Sequence, residues 1–265
     1  MISKARLDGL YVRYNRREFV HPDPLEFLYD YKDISDREIA GLVASSLAYG
    51  RVAQILKSIA SVFERMQPSP LMFLGRASRE SLLEAFAGFK HRFSDGKDLS
   101  MLLLGVKQVI ERYGSLHACF TAYLDENDDT VLPALSEFVK ELTTGTNGRR
   151  NSLLPAPMRG SACKRLHLFL RWMVRKDDVD PGGWDTVPTS KLIIPLDTHM
   201  HRICLALGLT QRKQADMHTA TQITAAFRTI APEDPVKYDF ALTRLGIRDD
   251  TDLNLEVAQL CNKKF

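Results

Sequence analysis

The chain has 265 residues, 45% of them hydrophobic and 26% charged, a composition typical of a globular protein with one large core or two smaller lobes. Its four cysteines (Cys119, Cys163, Cys204 and Cys261) are far apart in sequence, which argues against a disulfide framework and against a short-spaced zinc site. The N-terminus lacks an apolar signal segment and no long apolar run follows, so we expect neither secretion nor a membrane span, and the net charge of +3 is too small to indicate a partner.

The first half of the chain has apolar residues at helical spacing and no convincing alternating strand, so we expect an all-α fold. Ser35 and Glu38 have the spacing of a capping box and predict a helix that stops at Gly50. A second helix is expected to end at Pro68. Further helices are predicted over roughly residues 79–88, 98–112, 115–124 and 130–143.

The second half begins with a segment rich in Gly, Pro and Asn, from Thr144 to Gly160, which predicts a hinge between two lobes. We expect the lobes to comprise residues 1–150 and 151–265, with the N-terminal segment able to pack on the second lobe. Helices are predicted over roughly residues 161–175, 198–207, 218–230 and 234–246. The long loop after the first of these contains Gly and Pro, and such loops are usually functional.

Positive charge is concentrated around the predicted hinge and the helix that follows it. Eight of the 36 basic residues lie between Arg149 and Lys176 and none of the 33 acidic residues does, so the rest of the chain is net acidic. A polyanion is the natural partner of such a segment, although a solvated basic loop and helix face would have the same composition.

Lys164 lies in the first turn of the predicted helix, at the edge of its apolar face. The helix dipole, neighbouring Arg165 and partial burial would all disfavour the ammonium form of Lys164, which would favour an amine able to attack carbon. On its own, however, a lysine at such a position is more often a surface charge.

Asp197 precedes another predicted helix, where its side chain can accept hydrogen bonds from the first backbone N–H groups. A carboxylate held in this way stays ionised. The simplest interpretation of Asp197 alone is a helix cap.

Three segments resemble the helix-hairpin-helix DNA glycosylase superfamily. LDTHMHRICLALGL (residues 196–209) is similar to the stretch that carries the superfamily's catalytic aspartate, which the resemblance assigns to Asp197. SACKRLHLFLRWMV (residues 161–174) resembles the lysine helix of the archaeal 8-oxoguanine DNA glycosylases, in which the hairpin is degenerate and the lysine lies about thirty residues before the aspartate. PEDPVKYDFALTRLG resembles that branch's pocket helix. The chain therefore looks like a member of an uncharacterised bacterial family related to this branch.

The resemblance implies a two-lobed fold with a cleft, a degenerate hairpin, and catalysis by Lys164 and Asp197. It places a base-reading carboxylate at Asp239, with Phe240 beside it as a second base-binding residue, and puts Leu47 where the branch has a base-contacting Gln. Trp184, in the Gly/Pro loop, is a candidate for stacking on the base. The residues expected to contact the DNA backbone or fill the flipped-out gap are Arg51, Arg149, Arg150, Arg159, Gly160, Ser161, Arg165, His199 and Arg202.

The expected function is thus a DNA-repair glycosylase with AP lyase activity that removes a damaged purine, with 8-oxoguanine favoured, from double-stranded or damaged DNA. We expect a cytoplasmic monomer, associated with the bacterial nucleoid when bound to DNA, with no cofactor and no iron–sulfur cluster. Two alternatives remain open. One is a non-catalytic DNA- or RNA-binding protein on the same fold, and the other is a metal-dependent hydrolase using Asp197, His199 and His201.

Overall fold

The computed structural model describes residues 3–144 and 151–247, and this part of the chain is mostly helical, which confirms the all-α class. The helices of the first half are α1 (Lys4–Tyr14), α2 (Ile34–Ser46), α3 (Val52–Arg65), α4 (Pro70–Arg76), α5 (Arg79–Ala85), α6 (Gly96–Tyr113), α7 (Leu116–Thr121) and α8 (Leu132–Thr143). Those of the second half are α9 (Lys164–Val174), α10 (Thr198–Ala206), α11 (Met217–Arg228) and α12 (Asp239–Ile247). Short 3-10 segments, including Pro24–Asp30 and Pro157–Arg159, connect some of them.

The start of α2 differs from the prediction that Ser35 and Glu38 form its capping box. Asp33 is the cap, and its carboxylate accepts hydrogen bonds from the backbone N–H groups of Ser35 and Asp36. Glu38 is buried instead, and it accepts hydrogen bonds from the N–H groups of Leu116, at 2.7 Å, and His117, at 3.0 Å. It thereby caps α7, because the free N–H groups at a helix start need acceptors from somewhere.

A short antiparallel hairpin lies where we expected no strand. Strand β1 (Lys90–His91) pairs with β2 (Ser94–Asp95), and Arg92 and Phe93 form the turn between them. Arg92 adopts a left-handed backbone conformation with φ of 52°. Two-residue strands are too short for an alternating pattern to be visible in the sequence.

The core of the described residues is one continuous cluster of buried apolar side chains that runs from Leu7 to Leu242. At its centre α2 packs against α9, so the two halves of the chain meet there. Around this pair, α6 packs against α5, α7 and α8, and α12 packs against α1 and α10. The division into lobes of 1–150 and 151–265 stays a prediction.

The N-terminal helix contacts the second half of the chain. Asp8 accepts hydrogen bonds from Lys237 at 2.8 Å and from the Tyr238 hydroxyl at 2.9 Å, and the Tyr11 hydroxyl donates to Asp177. Within the described ranges, no helix has the length and apolar character needed to span a membrane.

Candidate active site

The turn that leads into α9 is built from two left-handed residues. Gly160 has φ of 77° and accepts a hydrogen bond from the Met217 N–H, while Ser161 forms a bridge with Asp216 at the start of α11. Cys163, the residue before α9, has φ of 45°, which is unusual for a residue with a side chain. The loop before α11 therefore holds the turn in place, and Lys164 becomes the first residue of α9.

Lys164 and Asp197 lie in contact although 33 positions separate them in sequence. The Lys164 Nζ is 2.9 Å from Asp197 Oδ2. The Lys164 side chain is 34% exposed and that of Asp197 is 22% exposed, so a ligand can reach both. The contact joins the first residue of α9 to the residue that caps α10.

The two carboxylate oxygens of Asp197 have separate partners. Oδ1 accepts hydrogen bonds from the backbone N–H groups of His199, at 2.9 Å, and Met200, at 2.8 Å, which makes Asp197 the cap predicted for α10. Oδ2 faces Lys164. Partial burial would raise the pKa of Asp197, but the positive charge of Lys164 and the Met200 N–H outweigh it, so the pKa lies below its usual value. Asp197 is therefore ionised at neutral pH.

Asp239, the expected base-reading carboxylate, is buried in an ion-pair network. Its Oδ2 is 2.5 Å from Arg171 Nη1, and the same guanidinium is 3.1 Å from Asp180. All three side chains are almost fully buried. Burial raises the pKa of Asp239 to about 6, although the charge of Arg171 opposes this rise. In this structure Asp239 holds α12 to α9 and does not face solvent.

The other residues predicted to bind the base are buried as well. Trp184 is fully buried, and its ring packs against Phe169 at a centroid distance of 5.1 Å while its Nε1–H donates to Glu38. Leu47 and Phe240 belong to the hydrophobic core. The exposed base-stacking surface expected at Trp184 is therefore not present, because the indole completes an aromatic cluster beneath the loop.

The residues predicted to contact DNA fall into three groups. Arg51, Gly160, Ser161, His199 and Arg202 are exposed, as that prediction requires. Arg149 and Arg150 lie outside the described residues. Arg159 belongs to the 3-10 turn before Gly160, and its side chain is outside the described part of the structure.

Arg165 fastens α9 to the first half of the chain and does not extend freely toward a phosphate. Its guanidinium donates to the backbone carbonyls of Ser46 and Ser152, both at 2.6 Å, and lies 4.8 Å from the centroid of the Tyr49 ring. We expected a DNA contact at Arg165, whereas these bonds commit the side chain to bracing the loop after α2.

His167, one turn beyond Lys164 on α9, was not assigned a role from the sequence. It is fully buried, and neither ring nitrogen has a hydrogen-bond partner among the described residues. Burial lowers its pKa to about 4, so the ring is neutral at physiological pH. The sequence pattern could have indicated the burial of His167, because Lys164, His167 and Arg171 lie on one stripe of the helix and this stripe runs from the surface into the core.

The described residues contain no group of three or more His, Cys, Asp and Glu side chains arranged to hold a metal ion. His201, one of the three residues of the hydrolase alternative, is buried and its Nε2 lies 2.8 Å from the Arg212 carbonyl oxygen. Cys119, Cys163 and Cys204 are buried free thiols, and Cys261 lies outside the described residues.

Residues 23–248 match the family described as "Protein of unknown function (DUF2400)". The match spans most of the chain, which therefore belongs to this family. It includes Lys164, Asp197 and the network around Arg171. The comparisons with curated proteins and with solved structures found no match.

Proposed function

We propose that this DUF2400 protein is a DNA glycosylase with AP lyase activity, in which Lys164 is the nucleophile and Asp197 is its carboxylate partner. The observation that carries the proposal is the 2.9 Å contact between Lys164 Nζ and Asp197 Oδ2, in a position that a ligand can reach. The proposal includes the two-lobed helix-hairpin-helix glycosylase fold, with the turn before α9 in place of the hairpin, and a damaged purine such as 8-oxoguanine as substrate.

The reaction begins with transfer of a proton from the Lys164 ammonium to a water beside Asp197, so Asp197 itself stays ionised. The free amine attacks C1′ of the nucleotide as the bond from C1′ to the base breaks, and the base leaves with the electron pair and takes up a proton. The ionised Asp197 stabilises the positive charge that develops on the sugar. Opening of the sugar ring gives a Schiff base between Lys164 and C1′.

The lyase step then follows from the Schiff base, which acidifies the hydrogen at C2′. Removal of this proton expels the phosphate from C3′ and breaks the strand. The exposed residues Gly160, Ser161, His199 and Arg202 are the proposed contacts for the flanking phosphates. Arg51, exposed at the start of α3, is the proposed occupant of the gap left by the flipped nucleotide.

Borohydride trapping tests the nucleophile directly, because reduction of the Schiff base links the protein covalently to DNA. We expect the wild type to form an adduct with duplexes that contain 8-oxoguanine or an abasic site, and Lys164→Gln to form none. Lys237→Gln is a matched control, since Lys237 is 29% exposed and is paired with an aspartate at 2.8 Å. The proposal is wrong if the wild type gives no adduct on any damaged duplex, or if Lys164→Gln traps as well as wild type.

Asp197→Asn tests the carboxylate separately from the fold, because the amide oxygen can still accept the two hydrogen bonds at the start of α10. We expect release of 8-oxoguanine to slow by several orders of magnitude, and trapping on a preformed abasic site, which needs no base release, to be affected much less. Near-normal base release would leave Asp197 as a helix cap alone.

A second candidate is a nucleic-acid-binding protein that lacks the chemistry. The burial of Leu47, Trp184 and Asp239 favours it, because the expected base pocket has no exposed surface. This candidate predicts binding of DNA or RNA by the wild type, no covalent adduct, and the same affinity for Lys164→Gln and Lys237→Gln at matched ionic strength.

A further inference from the structure

The turn of the β1–β2 hairpin presents an aromatic ring to solvent. Phe93 is 81% exposed, whereas most other phenylalanines of the described chain lie in the core or pack against it. Single exposed apolar residues are common on protein surfaces and need no explanation by themselves. Phe93 differs because the backbone that carries it is anchored and exposed Arg92 directly precedes it.

A hydrogen-bond network fixes the base of the hairpin. The buried His91 ring bonds to the Ser58 hydroxyl at 2.9 Å and to the Tyr49 carbonyl oxygen at 3.0 Å. The Tyr49 hydroxyl in turn donates to the His91 carbonyl and lies 2.7 Å from the Ser94 hydroxyl. Residues on both sides of Phe93 are therefore anchored, and the backbone that carries the ring is held in place before any ligand arrives.

The same network connects the hairpin to the lysine helix. The Ser94 hydroxyl is 2.5 Å from that of Ser152, whose carbonyl accepts a hydrogen bond from Arg165. Arg165 also lies over the Tyr49 ring and directly follows Lys164. The hairpin is thus fastened to the residue next to the proposed nucleophile.

The charges around the ring suit a polyanion. Lys90 and Arg92 are exposed on the hairpin, as is Asp95 opposite Lys90, and the Arg92 guanidinium is 5.3 Å from the Phe93 ring centroid. Arg92 also packs on Gly50, where an added Cβ would lie 2.7 Å from its Cδ, and exposed Arg51 follows Gly50. An aromatic face flanked by guanidinium groups is the arrangement with which proteins stack on bases while contacting phosphates.

We propose that Phe93 stacks on a nucleobase of DNA bound at the Lys164 site, with Arg92 contacting the adjacent phosphate. This proposal rests on the proposed function for the identity of the ligand, but the stacking does not require the covalent chemistry. Because the backbone that carries the ring is anchored, binding orders little beyond the Phe93 side chain, so the contact contributes to affinity even in an unreactive complex.

Phe93→Trp provides the direct test, because Trp172 is 1% exposed and Trp184 is 0% exposed. The added indole is then the solvent-accessible one, and its emission is the part that acrylamide quenches. The probe is a duplex with a central tetrahydrofuran abasic analogue, which does not react with lysine. We expect the duplex to quench this emission saturably and to protect it from acrylamide. Val12→Trp, at a 66% exposed position of α1, is the matched control and should show neither effect.

Phe93→Ala and Phe93→Leu measure what the stacking contributes. We expect Phe93→Ala to bind the same duplex about 5- to 100-fold more weakly with an unchanged melting temperature, since the ring is not part of the core. Phe93→Leu keeps the apolar bulk of the side chain but has no aromatic face. If stacking provides the affinity, this variant should bind nearly as weakly as Phe93→Ala. Full affinity in Phe93→Leu would overturn the stacking.

Borohydride trapping by the wild type on a natural abasic site separates the two proposals. Trapping together with an indole that DNA does not affect refutes the role of Phe93 and leaves the glycosylase proposal intact. A DNA-quenched indole without trapping supports the stacking and refutes the chemistry. Absence of DNA binding by the wild type refutes both.

Discussion

Arg171→Met should destabilise the protein severely, because the Arg171 guanidinium links two buried carboxylates. It lies 2.5 Å from Asp239 and 3.1 Å from Asp180, and all three side chains are shielded from water. Asp180 also pairs with Arg175, so it keeps a cation when Arg171 is replaced. Asp239 loses the guanidinium to which it is bonded, and its charge is then uncompensated in the core.

The expected cost is about 3–5 kcal/mol, the range found when one partner of a buried ion pair is removed. Burial already raises the pKa of Asp239 to about 6 with Arg171 in place, so the variant should relieve part of this cost by protonating Asp239. Asp239→Leu alone leaves Arg171 bonded to Asp180. The double variant Arg171→Met/Asp239→Leu removes both charges, and we expect it to recover about 2 kcal/mol relative to the sum of the single changes.

Urea denaturation followed by far-UV circular dichroism measures the four free energies of unfolding that this double-mutant cycle needs. Additivity of the two changes within about 0.5 kcal/mol would refute the interpretation of the pair as a coupled structural element. A second result would also refute it: an Arg171→Met protein of unchanged stability in which only base excision is impaired. Asp239 would then act in reading the base and would not be needed for folding.

Three further predictions concern Glu38, His167 and Gly50. Glu38→Ala should destabilise the protein by about 3–5 kcal/mol in urea denaturation, because the N–H groups of Leu116 and Trp184 lose a buried acceptor; a loss below about 1 kcal/mol would contradict this role. The unfolded chain binds a proton at His167 near pH 6.5 and the folded chain only near pH 4, so stability should fall by about 3 kcal/mol as the pH is lowered through this window. Asp239, whose pKa is raised in the folded state, changes stability with pH in the opposite direction. The difference in urea midpoint between wild type and His167→Phe, measured as a function of pH, gives the contribution of the histidine alone. Parallel pH profiles of the two proteins would exclude that contribution. Gly50→Ala should lower the free energy of unfolding by about 1–2 kcal/mol, measured as a lower melting temperature. Gly50 has φ of +107°, and an added Cβ would crowd the Arg92 side chain. An unchanged melting temperature would show that the loop adapts.

Most of the helices were predictable because their apolar spacing and capping residues are local signals, whereas α1 (Lys4–Tyr14) and α4 (Pro70–Arg76) were not predicted. Asp197 was recognised as a cap from its position alone, and the structure has it accepting both expected N–H groups. The prediction of a capping box at Ser35 and Glu38 was wrong because a second capping residue, Asp33, lies two positions before Ser35. Asp33 provides the closer acceptor, and Glu38 is taken by a helix start 78 positions away, which no local pattern reveals.

The candidate site was predictable only in part. The contact between Lys164 and Asp197 was expected from the resemblance, whereas the burial of Asp239 and Trp184 was not. Both are buried by partners distant in sequence, Arg171 for Asp239 and Glu38 for Trp184, so their environment depends on the tertiary fold. The hairpin that carries Phe93 was missed because strands of two residues leave no periodicity to detect.

The two oxygens of Asp197 place two different selective pressures on one residue. Folding needs Oδ1 at the start of α10, whether or not the protein performs any chemistry, while the proposed reaction needs Oδ2. An aspartate at this position would therefore persist in a descendant that had lost activity, and its presence there is a poor marker of function. Lys164 has no cap to form, so retention or loss of the lysine is what would distinguish a working enzyme from an inactive relative of the same fold.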